Sequence, residues 1–244
     1  MLPTFNEDSL SIFEGNCTFD YEISFSDGRV QSFHIELDPK SLSIVTVPRE
    51  SYPDWTKLSC SRCENCSLDP QKHPLCPVAA NLLEATDAFA RNISYEEVSV
   101  VIRTTPRNYQ RKIPLQSALR SLFGIYMAAS GCPVLDKLRP MVVTHLPFAT
   151  ITETAYRAFS MYALAQCFIH KKGGTPDLEF KKLGEIYKDV ETVNRALNHR
   201  LMSAGFEDAT LNAITNLNCY AQFTEMLLEP RGLERIEGLF SAYK

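Results

Sequence analysis

Four of the chain's eight cysteines fall within seventeen residues, as Cys60, Cys63, Cys66 and Cys76 in the spacing C-x2-C-x2-C-x9-C. Thiolates two residues apart can converge from one short loop on a single soft metal ion, and a fourth can return at the start of the next element. The first expectation is therefore a structural zinc ion held by Cys60, Cys63, Cys66 and Cys76. Two other arrangements stay open: a ligand set of Cys63, Cys66, His73 and Cys76 that leaves Cys60 free, and an oxidisable thiol group that works without metal.

The same run also begins as a bacterial ferredoxin pattern does, with C-x2-C-x2-C and a last cysteine followed by proline, although the final spacing is nine rather than three. An iron–sulfur cluster is thus the alternative cofactor. The chain Met1 to Asn16 carries Glu7, Asp8 and Glu14 and has no positive segment leading an apolar one, which argues against a secretory signal. Clustered thiols then belong to a reducing cytoplasm, where they bind metal rather than form disulfides.

The elements that position the cluster follow from patterning. Thr18 to Val47 alternates in short runs separated by Ser26-Asp27-Gly28 and Asp38-Pro39-Lys40, which predicts an antiparallel meander of three strands, the last over Leu42 to Val47. Pro48 to Pro77 holds five prolines, Trp55 and the cysteine cluster, with no period of either kind; it reads as a loop that a bound ion orders. Pro77 fits the first turn of a helix, placing Cys76 at its N-terminus. Ser94 to Thr105 is rich in β-branched residues and adds a strand.

After Pro106 the pattern turns helical. Leu115, Leu119, Leu122, Phe123 and Met127 share a face that stops at Ser130-Gly131-Cys132-Pro133. A second helix over about Phe148 to His170 turns Ile151, Ala155, Ala158, Phe159, Tyr162, Ala165 and Phe168 or Ile169 inward, and Gly173-Gly174 ends it. Thr175-Pro176-Asp177 looks like the next helix start, and Asp208 like another. The fold class is therefore α+β: an N-terminal antiparallel meander with a Cys-rich metal-binding loop, packed on a C-terminal helical bundle. The division is residues 1–110 for the β-rich part, with the cluster and one helix, and 111–244 for the bundle. Pro106 to Pro114 is too short and charged to read as a linker, so a single integrated domain stays open as the alternative.

Other residues carry weaker signals. Cys17, Cys132, Cys167 and Cys219 sit among apolar neighbours and read as small buried hydrophobes, with Cys132 the one to watch as a reactive thiol. His145, Glu153 and Arg157 flank one helix start. Glu153 and Arg157 stand four apart and can pair, while a base at His145 with Arg139 or Arg157 holding an anion is the functional alternative. Arg103, Arg107, Tyr109, Arg111 and Lys112 form a basic run that reads as a solvated loop. A net charge of -4 makes nucleic acid an unfavourable partner. No stretch approaches the apolar length of a membrane span, no glycine-rich nucleotide motif occurs, and a protein partner through the helical half has no motif that tests it.

The order Asp-Gly hairpin, Trp55-Thr56, Cys63-x-x-Cys66, Cys76-Pro77, Ser130-Gly131-Cys132-Pro133, Leu138-Arg139-Pro140-Met141 and His145-Leu146-Pro147-Phe148-Ala149 resembles an uncharacterised bacterial family of proteins of similar length. The resemblance covers nearly the whole chain. It implies a bacterial, cytoplasmic setting and brings no activity, substrate or catalytic residue. The functional expectation remains a metal-binding protein with a regulatory or protein-interaction role, or alternatively a redox protein or enzyme.

Overall fold

A computed structural model describes residues 17–243, with the backbone alone at 230, 231 and 235. The segment Met1 to Asn16, read above as lacking a secretory signal, lies outside the described residues.

Strand β1 (Cys17–Ser24) buries Cys17, Phe19, Tyr21 and Ile23 and alternates them with half-buried polar residues, the period-two pattern of a sheet with one covered face. A turn with Gly28 at φ 89° returns the chain to β2 (Val30–Leu37), which buries Phe33, Ile35 and Leu37 on the same face. Strands β3 (Glu97–Thr104) and β4 (Asn108–Pro114) form a second hairpin. β1 and β3 join the two hairpins into a four-stranded antiparallel sheet of order β2-β1-β3-β4. Tyr21 lies opposite Phe33 on one side and Ile102 on the other.

Two sequence expectations for the sheet change. Leu42 to Val47 makes no strand: Leu42 turns at φ 57°, a single bridge joins Leu37 to Ile44, and the Ile44 N–H donates to the Ala129 carbonyl at the end of a helix instead. The basic run read as a loop is largely β4. Its composition hid it, because an edge strand keeps most side chains in water and carries charge that discourages pairing with other chains. Lys112 there pairs with Glu97, and Arg103 on β3 with Glu22.

The helices are α1 (Pro77–Ala88), α2 (Leu115–Ala128), α3 (Pro140–Val143), α4 (Ile151–Lys171), α5 (Lys181–Ser203), α6 (Asp208–Met226) and α7 (Pro230–Glu237). Helix α2 is buried along most of its length, with Leu115, Leu119, Leu122, Phe123 and Ile125 fully covered, because it packs on β3 and β4 on one side and on α6 on the other. Phe89, just past α1, stacks at a tilt on Phe25 and Phe33. Buried side chains of sheet and helices form one continuous cluster.

Helix α4 starts with a capping box: Glu153 N–H donates to Thr150 Oγ1, and Thr150 N–H to Glu153 Oε2 at 2.7 Å. This capping takes Glu153 away from the expected pair with Arg157. Ala155, Ala158, Phe159 and Tyr162 are buried as expected, but Ala165, Phe168 and Ile169 are exposed, since the last turns of α4 run past the bundle. Thr175-Pro176-Asp177 does not open α5. The helix begins at Lys181 after Phe180 at φ 58°, and Asp177 accepts the Lys182 N–H at 2.8 Å from outside it.

Candidate functional site

The cysteine loop is tied at its base. The Leu58 N–H donates to the Pro74 carbonyl at 2.9 Å, the Cys76 N–H to the Thr56 carbonyl at 2.8 Å, and Lys57 bridges Leu75, so two short stretches of backbone pair like the neck of a flask. Inside the loop the Cys66 N–H reaches the Cys63 carbonyl at 3.1 Å and closes a turn that brings the two side chains of Cys-x-x-Cys to one side. Arg62 donates to the Cys66 and Leu68 carbonyls at 2.9 and 2.7 Å. Asn65 donates to the backbone and the carboxylate of Asp189 on α5, both at 3.0 Å, which docks the loop on the helical half.

Cys63, Cys66 and Cys76 line one small cavity of about 20 Å3, bounded also by α5 and the turn after α2. Cys76 is the N-cap of α1 with Pro77 at the first helical position, as the sequence predicts. The fourth cysteine on this cavity is Cys132. Gly131, at φ 85°, reverses the chain after α2 and delivers Cys132 there. The backbone N–H groups of Leu135 and Val134 favour the Cys132 thiolate. Cys60 is half-buried and does not line the cavity, and His73 is exposed and off it.

Burial pushes the Cys63 thiol up to about 12, and the neighbouring Cys76, Cys132 and Cys66 add to the effect by like-charge repulsion. Burial likewise raises Cys132, against the two backbone hydrogen bonds that lower it. Cys63 and Cys132 therefore stay protonated at neutral pH. Among the described residues no three His, Cys, Asp or Glu side chains stand as a group that could hold a metal ion; the four cysteines share a cavity without being drawn to a common point.

Arg200 on α5 completes the surroundings and was not singled out from the sequence. It is 2% exposed, and its Nη1 donates to the Trp55 and Lys57 carbonyls, both at 2.6 Å, at the neck of the loop. Among the described residues it has no carboxylate partner. Its positive charge favours the Cys63 thiolate. The signal that could have found Cys132 is a repeated dipeptide, since Cys76-Pro77 and Cys132-Pro133 both place a cysteine just before a turn of helix.

The remaining candidates separate. Cys17 is buried as expected, whereas Cys167 and Cys219 are exposed. Arg139 pairs with Asp136 and donates to the Ser41 carbonyl at 2.7 Å. His145 and Arg157 face a second and larger cavity among α2, α3, α4, α5 and α6. The His145 Nε2 and the Tyr21 hydroxyl share a hydrogen bond of 2.9 Å, with Ser121 hydrogen-bonded to Tyr21 behind it. Burial, with Arg157 adding its positive charge, pushes His145 down to about 3, so it is neutral at physiological pH.

Among the described residues no helix is long and apolar enough to cross a membrane. Comparison with curated proteins and with solved structures gives no match. One family model does match, over residues 19–241, which takes in all but the first two residues of the sheet, the two cavities described above and α1 to α7. The chain belongs to the family described as a domain of unknown function, DUF6901.

Proposed function

We propose that the protein binds one zinc ion through Cys63, Cys66, Cys76 and Cys132, and that the ion fastens the cysteine loop to the helical half. The observation that supports this reading is that four thiols, from three separate stretches of chain, line a cavity of single-atom size beside a buried guanidinium. Four sulfur donors suit zinc, and a fully protein-ligated ion is structural rather than catalytic. A zinc ion with four thiolates carries a net charge of about -2 by the ordinary charges of these groups, and Arg200, which otherwise lacks an ionic partner among the described residues, offsets part of it. The N–H groups of Val134 and Leu135 at the Cys132 sulfur are the outer-shell support that metal thiolates use. The reading carries with it a reducing compartment such as the cytoplasm.

Metal analysis with an absorption spectrum, on protein purified without oxygen, tests it. One zinc per chain with no visible band is the expected result, with zinc lost in Cys132→Ser and Cys63→Ser and kept in Cys60→Ser. Loss in Cys60→Ser with retention in Cys132→Ser would return the ligand set to Cys60, Cys63, Cys66 and Cys76. Iron with a visible band that bleaches on reduction would replace zinc by an iron–sulfur cluster, and metal-free preparations would overturn the reading.

A further inference from the structure

The cavity beside His145, of about 170 Å3, has a composition that the metal reading does not use. Most of its wall is apolar, with Met127, Leu135, Met141, Leu146, Phe148 and Leu217 among the residues that form it. Into this wall are set two arginines from different helices. Arg120 on α2 stacks over the Tyr220 ring at 4.1 Å, hydrogen-bonds the Tyr220 hydroxyl and reaches the Ala149 carbonyl at 3.3 Å. Arg157 on α4 donates to the Met141 carbonyl at 2.6 Å, while its buried Nε has no partner. Among the described residues neither guanidinium has a carboxylate within ion-pair distance. Asn194, 2% exposed, also lines the cavity, and its buried Oδ1 is unpartnered.

Buried charge without a counter-charge is costly, and natural proteins arrange for it to be compensated. Both arginines are half-buried, and this desolvation pulls them down from their usual range. The neutral imidazole of His145 on the same wall adds no competing charge. Gly124 gives a second and independent sign. It stands in the middle of α2, where glycine weakens a helix, and a methyl group placed on it would meet nothing within 4 Å. The side chain missing at Gly124 leaves the cavity wider.

We propose that this cavity binds a small aromatic or branched monocarboxylate of about the size of benzoate, its carboxylate held by Arg120 and Arg157 and its apolar body lying over Gly124. Guanidinium groups match carboxylate geometry with paired hydrogen bonds. The volume is close to that of an engineered cavity of about 150 Å3 known to take up benzene. A wall that is mainly apolar excludes ligands that are polar throughout.

Fluorine NMR on the full chain tests the proposal, with 4-fluorobenzoate as the probe and 4-fluorobenzyl alcohol as its uncharged counterpart. Saturable binding with a Kd of about 1 mM or tighter is expected for the acid, and at least roughly tenfold weaker binding for the alcohol. Gly124→Leu fills the cavity with a better helix former, so it should abolish binding while the melting temperature holds or rises. Gly124→Ala, a smaller step, should weaken binding and serves if leucine disturbs the fold. Absence of saturable binding to the native chain, equal binding of acid and alcohol, or unchanged binding in a folded Gly124 variant would each overturn the proposal.

Discussion

Acid should destabilise this protein through one histidine. His145 is held neutral between the Tyr21 hydroxyl, the ring edge of Phe19 and the positive charge of Arg157, with its pKa lowered from 6.5 to about 3. In the unfolded chain the same imidazole takes up a proton below about 6.5. The folded-state value is depressed, so its contribution to stability is complete above pH 6.5 and is lost as the pH falls toward 3. At about 1.4 kcal/mol per pH unit once protonation of the unfolded chain is under way, lowering the pH from 7 to 5 should cost about 2 kcal/mol from this residue alone. For a chain of this length that is a fall in Tm of about 4–8 °C. The assay is urea unfolding at pH 7, 6 and 5 on the native chain and on His145→Gln, whose amide can still hydrogen-bond Tyr21 but does not titrate. Other ionisable groups respond to acid equally in both proteins, so the difference between the two curves isolates His145. Parallel curves across this range would refute the reasoning.

Zinc uptake by the metal-free protein near pH 7 should release protons from Cys63 and Cys132, both raised by burial; calorimetry in buffers of different ionisation enthalpy reads this, and proton-silent binding would exclude these thiols as ligands. Arg200→Met keeps the volume but strands the Trp55 and Lys57 carbonyls, so urea unfolding should show a loss of about 3 kcal/mol, with the loop base failing first in hydrogen exchange. Thr150→Ala removes one half of the capping box at an exposed helix start and should cost about 1 kcal/mol, read as a lower urea midpoint with unchanged slope.

The α+β class and the hairpin, the α1 start at Pro77 and the α2 face were legible because each is written in local period or turn chemistry. The end of α4 was not: Phe168 and Ile169 continue the apolar spacing past the point where the bundle stops covering it. β4 escaped because an edge strand with one strongly buried residue, Ile113, offers little alternation. Three of the expected ligands line one cavity, since a turn such as Cys63 to Cys66 is a short-range matter. Cys132 arrives from the far side of β3, β4 and α2, and Arg200 from α5. Their placement depends on tertiary packing, which local spacing does not encode.

The pairing of β1 with β3 also sets an order of events as the chain emerges during synthesis. β1 and β2 can zip at once, but the inner edge of β1 must wait until everything between Leu37 and Glu97 has been made and drawn together. Closing a long flexible stretch is entropically slow, and the cost falls as the stretch shortens. The paired backbone at residues 56–58 and 74–76, once formed, takes the intervening residues out of the stretch that must close. The cysteine loop thus acts as a pleat in the thread, and its early closure is expected to decide how quickly the sheet is finished.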